Sequence, residues 1–213
     1  VTGRFEAHNY CSWFSHENEE AHPGYYRVHL DRYGVDAELT TTLRCAFHRY
    51  IFRPEDEKRL LVDITISNNR PRRWDIHKAG DNAFEGFQDG EGRIYFYAVC
   101  NHRVKDVSWL KSTKHSVALV DFDDAVSVRP LEVRFGFSFV SVGNAKANLE
   151  AEMLDKTFEE VRLEADATWE ALLGRIRVEG GTERQQGLFY SCLYRSMLWP
   201  CLRSDVNGDY ARA

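Results

Sequence analysis

Leu131-Glu132-Val133-Arg134-Phe135-Gly136-Phe137-Ser138-Phe139-Val140-Ser141-Val142, followed by Gly143-Asn144-Ala145-Lys146-Ala147-Asn148-Leu149-Glu150-Ala151-Glu152-Met153, holds the point at which the chain changes period. Up to Val142 the pattern alternates, with Val133, Phe135, Phe137 and Phe139 on one face, as a half-buried strand requires. From Asn144 to Met153 the residues are Ala, Asn and Glu rich, and a helix is expected. Everything before this point reads as strand and nearly everything after it as helix.

Upstream, Tyr26, Val28 and Leu30 share one face of a strand. Val35 through Thr42 continues after the turn signal Tyr33-Gly34. Arg44 to Phe52 carries Cys45, Phe47, Arg49 and Ile51 on one face, and Pro54 among acidic neighbours closes it. Leu60 to Ile66 alternates again. Ile94 to Cys100 is apolar on both faces, as in a central strand between packed layers. Val117 to Phe122 and Leu131 to Val142 complete the set. Short strands separated by Gly, Asn and Asp turns predict a mainly β fold, an antiparallel β-sandwich over residues 1–142. The supply of strand-favouring aromatics, ten Tyr, thirteen Phe and five Trp, agrees.

Downstream, Thr157-Phe158-Glu159-Glu160 reads as a capping box, with Thr157 as N-cap and Glu160 reaching back. Phe158, Val161, Ala165, Trp169, Leu172 and Ile176 recur behind it at helical spacing. Ile176 to Glu179 reads as one more short strand, ended by Gly180-Gly181. Residues 143–181 are therefore expected to be a helical linker with a short strand. Thr182-Glu183-Arg184-Gln185 starts a second capped helix, which runs to Trp199 ahead of Pro200. That helix is apolar nearly all round, through Leu188, Phe189, Cys192, Leu193, Met197 and Leu198, so it demands cover on most sides. About a dozen residues remain to supply it. The expectation is that 182–213 begins a truncated α-helical domain and that the chain, which opens on Val1, is an excised piece. Arg195, the lone charge among these apolar positions, is expected to find a carboxylate or carbonyl partner in that domain.

Composition excludes several roles. Net charge is −5, and the 28 Lys and Arg are scattered among 33 Asp and Glu, so no basic stripe exists to hold nucleic acid. No apolar run reaches the roughly 20 residues of a membrane span. The five cysteines, Cys11, Cys45, Cys100, Cys192 and Cys201, form no CxxC or Cys/His ligand pattern. They are expected to be buried free thiols. His16 and His22 are six apart, and Pro23-Gly24 breaks any helix, so they do not form the zinc-binding HExxH arrangement. Asp121, Asp123 and Asp124 lack the spacing and terminal Glu of a calcium loop and read as solvated turn acids. His48, opposite Phe47 on its strand, reads as a hydrogen-bonded sheet histidine.

Several segments taken in order resemble one family. They are Phe14-Ser15-His16-Glu17-Asn18-Glu19 with Pro23-Gly24-Tyr25-Tyr26; Leu30-Asp31-Arg32-Tyr33-Gly34-Val35 with Ala37-Glu38-Leu39-Thr40; and Phe47-His48-Arg49-Tyr50. Later come Gly136 to Val142 with Ala145 to Glu150, Glu179 to Glu183, Phe189 to Leu198, and Ser204 to Tyr210. The series resembles glycoside hydrolase family 92, the calcium-dependent exo-acting α-mannosidases. The resemblance implies a β-sandwich, a helical linker and an (α/α)6 barrel, of which this chain would hold only the first helix. It implies hydrolysis of terminal α-mannosides with inversion, which needs two carboxyl groups about 6.5–9.5 Å apart. It also implies that acid, base and calcium ligands lie in the barrel, so no catalytic residue or metal ligand is assigned within 1–213. Export to the periplasm or cell surface is implied as well, although the cysteines lend that no support.

For substrate contacts the candidate segment is Trp13 to Glu19, with Trp13, His16 and Glu17 as substrate-binding residues. An indole can pack on the apolar face of a sugar ring, and an imidazole and carboxylate can hold its hydroxyls. The alternative is a sheet-end cluster in which His16 and Glu17 satisfy backbone groups and Trp13 fills the core. At the level of the whole chain, the alternative to an enzyme portion is a non-catalytic carbohydrate-binding or interaction sandwich.

Overall fold

The computed structural model describes residues 10–68, 70–111, 116–123, 128–199 and 201–211. Its strands are β1 (Glu19–His22), β2 (Tyr25–Leu30), β3 (Val35–Thr41), β4 (Cys45–Ile51), β5 (Arg59–Val62), β6 (Arg73–Gly80), β7 (Ala83–Asp89), β8 (Arg93–Cys100), β9 (Val104–Lys111), β10 (Ser116–Phe122) and β11 (Leu131–Ser138). The helices are α1 (Val142–Glu152), α2 (Phe158–Leu173) and α3 (Glu183–Met197).

Among the described residues the strands form two antiparallel sheets. The larger has the order β1-β2-β3-β4-β11-β8-β7-β6, and the smaller β5-β10-β9. Alternation sends Val133 and Phe135 of β11, Phe96 and Ala98 of β8, and Phe84 of β7 toward the smaller sheet, where they meet Leu60, Ala118, Val120 and Phe122. The sandwich expected from the alternating segments is thereby present. Its larger sheet is also covered on the second face. Cys45 and Phe47 of β4 pack there against Leu149 and Met153 at the end of α1 and Phe158 and Val161 of α2. Three layers result, and β8 is apolar on both faces because it has a sheet on one side and α1 on the other. Each large apolar side chain buried in this way contributes about 1.5–3 kcal/mol.

The helix starts follow the capping signals. Thr157 and Glu160 form a reciprocal capping box on α2, and Thr182 and Gln185 do so on α3. Ser141 caps α1 by accepting the Asn144 N–H. At the β1–β2 hairpin Pro23 fixes the first turn position and Gly24 takes φ +88°, as a type II turn demands. Gly24 also admits α2, since a Cβ there would lie 2.9 Å from Ala165 Cβ.

Some expectations need correction. Residues 176–179 pair with no strand among the described residues; they follow α2 without regular structure, with Ile176 O and Val178 N both bonded to the Tyr190 hydroxyl of α3. The strand expected to run to Val142 ends at Ser138, because Ser141 already caps α1. The strand expected from Leu60 to Ile66 ends at Val62, where Asp63 takes the Thr65 N–H and hydroxyl in a local turn. All five cysteines are free, but only Cys45 and Cys100 are buried; Cys11, Cys192 and Cys201 are exposed. Burial pushes the Cys45 and Cys100 thiols up to about 12, so neither is a nucleophile at neutral pH.

Helix α3 stands apart from this economy of cover. None of its described side chains is buried, and Leu188, Leu198 and Trp199 remain open. Arg195 is exposed too. The Trp169–Tyr194 ring contact, with centroids 4.8 Å apart, and the Tyr190 hydroxyl bonds hold α3 to what precedes it. No helix among the described residues is long and apolar enough to cross a membrane.

Candidate functional site

The candidate segment runs along the turn between β2 and β3. Trp13 O accepts the Asp31 N–H at 3.1 Å, and Ser12 Oγ accepts the Arg32 N–H at 3.0 Å. Tyr33 donates its hydroxyl to Tyr10 O at 2.8 Å, and Tyr10 donates to Asp63 at 2.5 Å. Ser15 then caps a 3-10 turn over His16–Asn18 by accepting the Glu17 N–H. These bonds hold the backbone and leave the side chains outward. Trp13 is 85% exposed, which excludes the reading in which it fills the core.

His16 and Glu17 sit on the 3-10 turn, both exposed. His16 Nδ1 lies 2.5 Å from Glu19 Oε2, while Glu19 Oε1 accepts the Tyr26 hydroxyl at 2.7 Å. The Tyr26 hydrogen bond, then that of His16, holds the Glu19 carboxyl below its usual range.

Glu17 lines a polar groove of about 530 Å³ with Asn18, Glu19, Glu20, Arg27, His29 and Asp36. Strand alternation explains the gathering. Glu20 lies opposite Arg27 across the β1–β2 ladder, and His29 opposite Asp36 across β2–β3. His29 Nδ1 is 3.2 Å and Arg27 Nη2 3.6 Å from the same Asp36 oxygen. The next rows of this face are covered by α2, where Tyr25 donates to Glu38 and Arg162 lies over the Tyr25 ring. The groove is the part of the face that α2 leaves open. The structure thus brings Glu17 into a charged groove and ties His16 to one of its walls through Glu19. Trp13 is not among the lining residues.

Arg27, His29 and Asp36 were missed by the sequence reading. Their signal was present: charged residues at alternate strand positions whose neighbours, Val28, Val35 and Ala37, are buried. Carboxylates, a guanidinium and an imidazole at such spacing suit a polyhydroxylated ligand, which needs both donors and acceptors. A second cleft, of about 790 Å³, opens between the two sheets beside Leu30, Val35, Tyr50, Phe52, Leu60 and Leu119. Its walls are mainly apolar.

Among the described residues the carboxyls whose protonation is displaced are Glu19, Glu38, Asp89 and Glu160, and all four are more acidic than usual. A general acid needs the opposite displacement, so none of the four suits that role. Among the described residues no three His, Cys, Asp or Glu side chains gather as a metal-holding set. His22 faces Asp166 and Glu20 rather than His16. Asp121 pairs with Arg59 and Asp123 with Arg103, while Asp124 lies outside the described residues. His48 shares a 2.9 Å hydrogen bond with the Tyr50 hydroxyl within the sheet.

Comparison with known proteins bears on both halves of the chain. Residues 2–139 match the model of the glycosyl hydrolase family 92 N-terminal domain, and residues 144–213 that of the family 92 catalytic domain. A protein of Arthroderma benhamiae described as an uncharacterized secreted glycosidase is 24% identical, over 91% of this chain and 30% of its own length. The family 92 inverting mannosidase BT2199 of Bacteroides thetaiotaomicron superposes with a TM-score of 0.80 at 25% identity, covering 93% of this chain and 29% of its own. The α-mannosidase BT3965 of the same organism gives 0.79 at 24%, covering 95% and 31%, a likeness of fold. The chain spans about 30% of the length of these relatives.

Proposed function

The chain belongs to glycosyl hydrolase family 92, and from that premise we propose that it is the N-terminal portion of an inverting, exo-acting α-mannosidase that trims terminal α-mannose from glycans. One observation carries this reading: the N-terminal-domain match and the opening of the catalytic-domain match follow each other in one chain, in family order. The open apolar surface of α3 supports it, since such a helix calls for further helices to cover it.

In this reading residues 1–142 are the sandwich, 143–181 the linker, and 182–213 the start of an (α/α)6 catalytic domain. The acid that protonates the leaving oxygen and the base that activates water are placed beyond α3. Calcium is placed there too, since among the described residues no three His, Cys, Asp or Glu side chains gather to hold an ion. The sandwich contributes substrate contacts. Glu17, with Arg27, His29 and Asp36, offers hydrogen-bonding partners to sugar hydroxyls, His16 braces the wall through Glu19, and the open Trp13 indole offers a stacking face. We place the whole protein outside the cytoplasm, where terminal mannosides are met, consistent with a relative described as secreted.

The test compares two polypeptides on an aryl α-mannoside with calcium supplied. Residues 1–213 alone are expected to give no hydrolysis. The longer polypeptide encoded with them is expected to turn over, releasing β-mannose when followed by NMR. Turnover by 1–213 alone would overturn the placement of the catalytic groups. A longer polypeptide that binds mannosides without cleaving them would favour the binding-module reading.

A further inference from the structure

Seven residues after the end of α3 the chain makes a tight hairpin. Ser204 and Tyr210 form an antiparallel bridge, Asp205 N–H donates to Asp209 O, and Gly208 at φ +87° donates back to Asp205 O. A buried carboxylate makes three of the hydrogen bonds that fasten the hairpin to the body. Asp205, 5% exposed, accepts the Ser138 hydroxyl at 2.8 Å and the Asn144 amide at 2.8 Å on one oxygen, and the Asn148 amide at 2.7 Å on the other. Asn148, fully buried, also donates to Phe137 O and accepts the Val206 N–H at 2.9 Å. Both ends of its amide are thus committed. Arg44 adds a second fastening, from its Nε to Ser204 O at 2.6 Å, while its Nη1 holds Glu152 at the end of α1.

The contrast with α3 is the informative part. The helix buries none of its described side chains, yet the segment just beyond it is pinned by a fully satisfied buried polar cluster. A buried carboxylate with three donors accepts little displacement, because any shift leaves charge or amide groups unpaired. Evolution of a loop for cover alone would not need this chemistry; fixing a direction would. We propose that Asp205 is a positioning residue that registers everything following α3 against the seam of β11 and α1, independently of α3's own packing. Ends are set on both sides of the helix: Trp169 and Ile176 before it, Asp205 after it. The orientation of a domain built on α3 is then fixed by the sandwich through this carboxylate, and this last step rests on the reading under Proposed function.

Two measurements keep that step separate from the local claim. The first uses residues 1–213 and hydrogen exchange. In the unaltered chain the Val206 and Gly208 amides are expected to be protected. In Asp205→Asn, whose amide cannot accept from all three donors, they are expected to exchange about tenfold or more faster. Exchange at Leu149 and Val161 is expected to be unchanged. Unaltered protection at Val206 and Gly208 overturns the proposal, as does an equal loss throughout the chain. If Asp205→Asn does not fold, Asn144→Ala removes one donor to Asp205 together with that amide's 3.0 Å bond to Asp209, Asp209→Ala serves as the control that loses only the second bond, and the same two readings, compared between the two variants, decide.

The second measurement uses the longer polypeptide and mannoside hydrolysis. Asp205→Asn is expected to lower kcat by roughly tenfold with little change in KM at equal folded content, since small misplacements of a catalytic frame act on rate. Unchanged kcat overturns the positioning role even where the hairpin loosens. A longer polypeptide with no activity in unaltered form refutes the mannosidase reading instead, and leaves the exchange result to decide the hairpin claim.

Discussion

Gly136 of β11 lies directly beneath Ala145 of α1: a Cβ on Gly136 would sit 2.1 Å from the Ala145 carbonyl oxygen and 2.8 Å from Leu149 Cβ. The missing side chain lets the helix backbone rest on the sheet, and this contact seats α1 over β11 and β8.

The methyl of Gly136→Ala is fixed by the backbone and cannot turn away, so α1 must lift. Overpacking of this kind costs about 1–3 kcal/mol. The expected outcome in urea unfolding is a lower midpoint with an unchanged slope. Gly187, within α3, has nothing within 4 Å of a built Cβ. Gly187→Ala is expected to raise local helix stability by up to about 1 kcal/mol, seen as greater ellipticity at 222 nm. If both alanines behaved alike, the close approach at Gly136 would not be the cause.

His48 supplies a pH dependence. It is packed beside Phe135, with ring centroids 5.1 Å apart, and burial pushes its imidazole down to about 4. The unfolded chain takes up that proton near 6.5, so between pH 6.5 and 4 the unfolded state binds more protons than the folded one. Stability from keeping His48 neutral is full above pH 6.5 and is lost as the pH falls through this window. Its size is on the order of 3 kcal/mol. Urea unfolding at pH 7, 5.5 and 4 is expected to show the decline, and His48→Gln to flatten it. An unchanged slope in His48→Gln would assign the decline to other groups.

The strands legible in the sequence were those with a full alternating set, such as β4 and β11. The missed ones carry a physical excuse. β1 is short and at an edge, β6 is the opposite edge with Ile76 as its one buried side chain, and β9 edges the small sheet. β7 is interior, but Gly86 leaves a gap in its pattern where Phe96 and the Asp75 backbone come close. Helices α2 and α3 were legible through Thr157 and Thr182, because capping boxes are local. What covers a face is not local: Cys45 and Phe47 were rightly grouped, yet only the fold shows that α1 and α2, and not a second sheet, lie over them. The groove was half legible for the same reason, since Glu17 is in the segment that drew notice and Arg27, His29 and Asp36 reach it from two other strands.

The open surface of α3 predicts association. Leu188 of α3 is 65% exposed and Trp199, two residues past its end, 71%. Residues 1–213 alone are expected to bind a dye such as ANS and to self-associate at high concentration. Leu188→Lys is expected to reduce both with little change in the thermal midpoint, because Leu188 has little burial to lose. A fall in the midpoint equal to that of a core substitution would show that Leu188 is packed in solution and that the open face of α3 is not the source of association.

Trp13 is the sharpest test of the proposed substrate contacts, because its exposure separates function from folding. An indole that is 85% exposed contributes little to stability, so Trp13→Ala is expected to leave the thermal midpoint unchanged. If the ring stacks on mannose or on the residue bearing it, its loss removes about 0.5–1.5 kcal/mol of contact. That corresponds to a roughly two- to tenfold rise in KM for mannosides in the longer polypeptide, with kcat nearly constant because the acid and base are untouched. Glu17→Gln keeps the shape of the groove and removes a charge-assisted acceptor, so a KM rise of similar size is expected there. Unaltered KM in both variants, with native midpoints, would remove the Trp13 to Glu19 segment from the substrate path and leave it as an exposed sheet-end cluster.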